Sequence, residues 1–242
     1  MTEQEYQAAL AALVKKESNL LLFEKNEQQI FVLGTIHQFH FDATHDYSLS
    51  HLQNVIKAIN PDVLLIEADH GLLKEQGTVR GPFEMIFARC LADELHIPIK
   101  GIDHQKIVAT SEEMNTLQNE RDDRMFENIL DAAKCHGRAL ALIGASHRGR
   151  MPARFEKSGY SKIELDDALD YFGKIDIDFV YPKSMIDEYL RRSNHYQTDF
   201  LDEINRALNS SDELYKMFVD LAASFKIQDS IIDKITHNRL YD

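Results

Sequence analysis

The sequence predicts an α/β fold with a central, mainly parallel sheet covered by helices on both faces. Three observations predict it. Compact apolar runs alternate with segments of helical periodicity through residues 30–165. The runs Val63–Ile66 and Ala139–Ile143 are apolar throughout, as strands buried on both faces are. The 242 residues are 44% hydrophobic, enough to bury a sizeable core.

In chain order, residues 4–17 repeat apolar side chains at helical spacing (Tyr6, Ala9, Leu10, Leu13, Val14). Leu20–Phe23 and Ile30–Leu33 flank a polar stretch and read as an N-terminal β-hairpin. Residues 48–59 form a helix with Leu49, Leu52, Val55, Ile56 and Ile59 on one face. Pro61 ends it before the strand Val63–Ile66. A helix is expected over 82–95. Ile97–Ile99 reads as a short strand bounded by Gly101, and Pro98 places it at an edge or a strand start. A long helix spans 111–136 and stops at Gly137; the strand Ala139–Ile143 follows, with one more expected at Ile163–Leu165.

From residue 184 the strand signal vanishes. Segments 184–192, 196–208, 211–226 and 228–238 all carry helical patterns. The chain therefore divides into an α/β core over 1–183 and a helical C-terminal extension over 184–242. The extension packs on the core, forms a lid, or joins copies of the chain into a homo-oligomer.

Forty acidic residues against 27 basic ones give a formal net charge of −13. A surface of that sign lacks the cations that displace phosphate counterions, so no nucleic-acid partner is expected. It offers no polybasic handle to a membrane, and no apolar run approaches the ~18 residues of a membrane span. The N-terminus has acids where a signal peptide carries bases. No membrane anchor and a cytoplasmic location are expected. Cys90 and Cys135 fall in no paired pattern and read as reduced thiols.

The residues just past each strand carry the chemistry. Ile30–Leu33 runs into Gly34-Thr35-Ile36-His37, and Val63–Ile66 ends on Glu67. The edge strand leads to Gly101-Ile102-Asp103-His104, and Ala139–Ile143 to Gly144-Ala145-Ser146-His147. In an open parallel sheet, ligands bind in the crevice beyond the carboxyl ends of the strands. Neighbouring strands would bring His37, Glu67, Asp103 and His147 to one place. The two Gly-x-x-His elements share a layout 110 residues apart, and each glycine permits a close backbone approach. The shared layout points to an internal duplication at the level of structure.

Two imidazoles and a carboxylate can hold a divalent metal ion such as Mn, Co or Zn, so His37, Glu67 and His147 are candidate ligands. Such an ion would activate water and polarise a carbonyl. Without metal, His37 can act as general base on water with Glu67 orienting it. A buried strand-end carboxylate needs a partner, and Arg121 is a candidate. Residues 120–124 are all charged, and the plain reading of such a run is a solvated helix face. Arg148 and Arg150 beside His147 are candidates for an anionic substrate group. His40 and His45 read as surface residues of a loop, and His70 as solvent-facing. His104 is a candidate for lining the cleft. Ser146 lacks the Gly-x-Ser-x-Gly elbow of a serine nucleophile.

These residues resemble a known set. Phe31-Val32-Leu33-Gly34-Thr35-Ile36-His37 resembles the first motif of the TraB/PrgY and TIKI families. Pro61-Asp62-Val63-Leu64-Leu65-Ile66-Glu67 resembles their next strand, Glu120–Met125 their Arg-Asp…Met helix, and Leu142-Ile143-Gly144-Ala145-Ser146-His147 their second Gly-x-x-His. The likeness covers roughly residues 20–165 and extends to erythromycin esterase-like and ChaN-like proteins, with Gly101-Ile102-Asp103 similar to a strand-end motif of the esterases. It implies an α/β core and a hydrolytic site of both Gly-x-x-His histidines and the glutamate, acting on a small-molecule ester or a peptide. It raises Arg121 to a catalytic or substrate-binding residue, with Asp122 beside it. The expectation is a metal-dependent hydrolase with His37, Glu67, Arg121 and His147 catalytic, and Asp103, Asp122 and Arg148 binding substrate. The alternative is a non-catalytic protein that holds a small ligand, haem or peptide on the same scaffold. A folded interaction partner with a relict site is a third. TIKI and many TraB relatives are membrane-attached, and this chain departs from them there.

Overall fold

The structure, a computed structural model, describes residues 19–37, 40, 47–76, 79, 82–103 and 111–174. The expected helix over 4–17 and the extension over 184–242 lie outside the described residues.

The core is a six-stranded sheet. Its strands are β1 (Leu20–Lys25), β2 (Gln28–Thr35), β3 (Val63–Asp69), β4 (Ile99–Asp103), β5 (Arg138–Gly144) and β6 (Ser161–Ile163), in the spatial order β4-β3-β5-β2-β1-β6. The pairs β4–β3, β3–β5 and β5–β2 are parallel, while β1 runs antiparallel to both β2 and β6. The sheet is thus mainly parallel, with an antiparallel flank built on the N-terminal hairpin. Asn26 and Glu27, both at positive φ, make the two-residue turn whose twist matches that of the strands.

Seven helices are described: α1 (Leu49–Ile59), α2 (His70–Gln76), α3 (Phe83–Leu95), α4 (Ser111–Ala133), α5 (Ala145–Arg148), α6 (Met151–Lys157) and α7 (Ala168–Phe172). Helices α1 and α3 end on Asn60 and His96 in the left-handed conformation, a common helix stop. The long helix α4 buries Phe126, Ile129, Ala132 and Ala133 against Val63, Leu65, Ala139, Ala141 and Ile143 of the sheet, with Phe155 of α6 in the same cluster. The alternating residues Leu64, Ile66, Leu140 and Leu142 are equally buried, because successive side chains on a strand face opposite ways. Helix α3 packs on β3 and on α1 without joining the α4 cluster, so helices cover both faces.

Several boundaries differ from the sequence reading, and the long helix stops at Ala133 rather than at residue 136. The edge strand begins after Pro98 and passes through Gly101, which was expected to bound it. A Cβ at Gly101 would stand 2.6 Å from the Ala68 carbonyl, so the residue is glycine because the turn from β3 into α2 presses on it. Strand β3 extends past Glu67 to Asp69, with a bulge: its register against β4 steps from Ile66↔Gly101 to Asp69↔Asp103. The strand expected at Ile163–Leu165 lies slightly earlier, as β6. The short helices α2, α5, α6 and α7 were not expected, since a helix of two turns or fewer shows too little periodicity to read.

Candidate active site

The parallel strands β3, β5 and β2 lie side by side, and their carboxyl ends bring Glu67, His147 and His37 together. The two Gly-x-x-His elements follow adjacent strands, with Gly34 opposite Ile143 and Thr35 opposite Gly144. Both glycines are close-approach positions. A Cβ at Gly144 would lie 3.1 Å from His37 Nε2 and 3.3 Å from Glu67 Oε2, so those two groups meet over bare backbone. A Cβ at Gly34 would lie 3.2 Å from the Ala145 Cα at the start of α5.

Glu67 is almost fully buried. Its Oε2 accepts the backbone N–H of Gly144 at 2.5 Å, and its Oε1 accepts Arg121 Nη2 at 2.7 Å. Arg121 projects from α4 and also grips Asp103 through Nε at 2.9 Å and Nη2 at 2.7 Å. Burial would lower the proton affinity of the guanidinium; the bonds to Asp103 and the charge of Glu67 outweigh it and raise it. Arg121 Nη1 is 3.4 Å from His147 Nε2. The charged run 120–124 is therefore not wholly a solvated face: Arg121 and Asp122 turn inward.

His147, in α5, has its Nδ1 2.5 Å from Asp122 Oδ1, and Asp122 Oδ2 accepts Arg150 Nη1 at 2.7 Å. Burial pushes Asp122 upward, but the hydrogen bonds from His147 and Arg150 outweigh it and hold the carboxyl below its usual range. An ionised carboxylate can only accept, so Nδ1 of His147 carries the hydrogen. Its Nε2 faces Arg121, with Glu67 Oε1 at 3.5 Å.

His37 lies just past β2 with φ +52°, in the left-handed region that non-glycine residues seldom adopt. Its Nδ1 is 2.7 Å from Oε1 of Glu84, a fully buried acid in the first turn of α3. Burial lowers the His37 affinity for a proton; the charge and hydrogen bond of Glu84, helped by Glu67 and opposed by Arg121, outweigh it and raise it above the ordinary value. Burial likewise pushes Glu84 up, and His37 more than reverses this. His37 keeps 40% of its side chain exposed against 5% for His147, so it is the histidine that meets solvent.

The sequence missed Glu84. Its one signal was a lone acid between Phe83 and Met85-Ile86-Phe87, just after Pro82. His40 corrects another expectation. It is not a surface residue but is buried, accepting the Ile36 N–H at its Nε2 and meeting the Tyr47 carbonyl at Nδ1, each at 3.1 Å. Burial pushes it down to about 4, so it is a neutral structural group. Tyr47 is buried beside it and donates its hydroxyl to the Gly34 carbonyl at 2.9 Å. His70 is exposed as expected, and Ser146 is exposed as well. Arg148 is half-buried, its proton affinity lowered by that burial. His45 and His104 lie outside the described residues.

The candidate metal ligands converge only in part. Among the described residues, no group of three His, Cys, Asp or Glu side chains is placed to hold a metal ion. His37 Nε2 and Glu67 Oε2 share one point above Gly144, but His147 Nε2 faces the other oxygen of Glu67, and the guanidinium of Arg121 stands against both. A cation at the third ligand's position would be repelled by that charge. As arranged, Arg121 supplies the positive charge beside Glu67 and His147.

Among the described residues, no helix is long and apolar enough to cross a membrane. No family model, no curated protein and no solved structure matches the chain.

Proposed function

We propose that this chain is a hydrolase that cleaves an ester or amide bond with a water molecule activated by His37. The observation that carries the reading is the pair of Gly-x-x-His imidazoles, each bound through Nδ1 to a buried carboxylate, with their Nε2 atoms on either side of Glu67. This is how histidines are held for proton transfer.

In this reading His37 Nε2 takes a proton from water as the water oxygen bonds to the carbonyl carbon. The charge that develops on the carbonyl oxygen falls to the Arg121 guanidinium, which Asp103 and Glu67 hold rigidly in place. The proton then passes from His37 to the departing oxygen or nitrogen, and the products are an acid and an alcohol or amine. Arg121 and the Gly144 N–H fix Glu67 at the floor of the site, with His147 against its other side. Asp103 and Asp122 are committed to Arg121 and His147, which makes them supports for the site and leaves substrate contact to Arg121 and Arg148. The ordered likeness to the TraB/PrgY and TIKI motifs supports the same reaction class.

One observation favours a second reading. Histidines that bind a metal through Nε2 are commonly tied through Nδ1 to a carboxylate, as both are here. In that reading His37, Glu67 and His147 would hold the ion, which would supply a Lewis acid.

The test is turnover of a panel of p-nitrophenyl esters and short peptides by the purified full chain, with and without chelator. Hydrolysis that survives chelation and falls at least ~100-fold in His37→Ala is expected. Loss on chelation and recovery with Mn, Co or Zn would establish the metal reading instead. Full activity in the His37→Ala plus His147→Ala double variant would overturn both. Tight binding of a small ligand, haem or peptide without turnover would replace the enzyme with a binding protein.

A further inference from the structure

We propose that Glu84, which belongs to none of the motifs, is a positioning residue that fixes the tautomer and the aim of His37. The catalytic use of this device rests on the hydrolase reading above; the device itself does not.

His37 sits at a strained backbone position with much of its ring in solvent. Nothing in β2 fixes the rotation of that ring. Glu84 does so from another element: its Oε1 lies 2.7 Å from Nδ1, and the carboxylate has no exposure to water. Because an ionised carboxylate only accepts, the ring nitrogen it touches must be the one that bears hydrogen. Nε2 is left as a lone pair over Gly144, where Glu67 Oε2 also lies. Without that partner a neutral imidazole favours hydrogen on Nε2, the wrong atom to receive a proton from water.

The second histidine shows what is particular to the first. Asp122 divides its two oxygens between His147 and Arg150. Among the described residues, the side-chain partner of Glu84 is His37, and its Oε2 is buried with no hydrogen-bond partner. A buried carboxylate oxygen without a donor costs stability, so the site retains a destabilising feature where the imidazole is anchored. Helix α3 eases that cost, since an acid in the first turn meets the positive end of the helix dipole. His40, which also acts electrostatically on Glu84, cannot relieve Oε2, because both its nitrogens are engaged with Ile36 and Tyr47.

The test is a long-range 1H–15N spectrum of the 15N-labelled full chain in alkaline buffer, with His37 assigned by its absence in His37→Gln. The wild-type ring is expected to carry hydrogen on Nδ1. Glu84→Leu should move it towards Nε2 and lower kcat on p-nitrophenyl acetate about 100-fold with KM unchanged. Glu84→Gln keeps the shape and an accepting oxygen, and should restore the Nδ1 tautomer and part of the rate. Hydrogen on Nε2 in the wild type, or an unchanged tautomer in a folded Glu84→Leu, overturns the proposal. The wild-type spectrum decides it even where Glu84→Leu fails to fold. A correct tautomer in a chain that hydrolyses nothing sinks the hydrolase reading and leaves this one standing.

Discussion

The guanidinium of Arg121 and the carboxylate of Glu67 form an ion pair of 2.7 Å that ties helix α4 to the centre of the sheet. The same Nη2 stands 2.7 Å from Asp103 on the edge strand. One side chain thus pairs with two acids that the fold buries at strand ends.

Removing that cation leaves two buried carboxylates uncompensated. Arg121→Leu is therefore expected to lose about 3 kcal/mol of stability as well as activity. Chemical denaturation at neutral pH measures it. A loss below about 1 kcal/mol would show that Glu67 and Asp103 find other partners.

Asp122 distinguishes support from substrate contact. Asp122→Asn weakens the hold on His147, so kcat should fall at least ~10-fold with KM nearly unchanged. A rise in KM with constant kcat would return Asp122 to the substrate-binding role expected from the sequence. Arg150→Ala, which strips the second donor from the same carboxylate, should cost about 1 kcal/mol in the same denaturation assay.

Two glycines five residues apart should respond oppositely to alanine. Gly144→Ala places a methyl 3.1 Å from His37 Nε2 and should reduce turnover with a destabilisation of about 1 kcal/mol. At Gly149, with φ −60° and nothing within 4 Å of the added carbon, alanine should be neutral or stabilise by about 0.5 kcal/mol. Equal effects in thermal melts would refute the close approach at Gly144.

His40 predicts an acid-side weakness of the fold. Its folded value of about 4 lies below the 6.5 of an unfolded histidine, so the unfolded chain binds the proton first. The stability it confers is complete above pH 6.5, declines as pH falls, and is exhausted near pH 4. The whole change is about 3 kcal/mol. Urea denaturation across that range should show a steeper decline in the wild type than in His40→Gln; parallel curves would refute it.

The sheet was legible because its strands are unbroken apolar runs, and a parallel strand buried on both faces has no other appearance. Glu67 and both histidines were legible because they follow those runs directly. Arg121 was legible only as a candidate partner for the buried Glu67, since Glu120–Arg124 reads locally as a wet helix face. Glu84 was hidden for a different reason: its role depends on α3 bringing it to His37, 47 residues away in sequence, and no spacing along the chain encodes that. His40 was misread because a loop histidine looks like a surface one until two backbone groups are found to enclose it. The bulge in β3 left no mark either, because apolar residues run straight up to it.

That bulge has a dynamic consequence. The paired register of β3 with β5 ends at Ile66, and with β4 it is interrupted until Asp69. Glu67 and Ala68 are therefore register-paired with neither neighbouring strand. Deuterium should therefore enter at Ala68, where both pairings are interrupted, before it enters at Val63–Ile66. The sheet supplies a fixed foundation, and where its pairing lapses the acid is anchored instead by a guanidinium and one backbone amide.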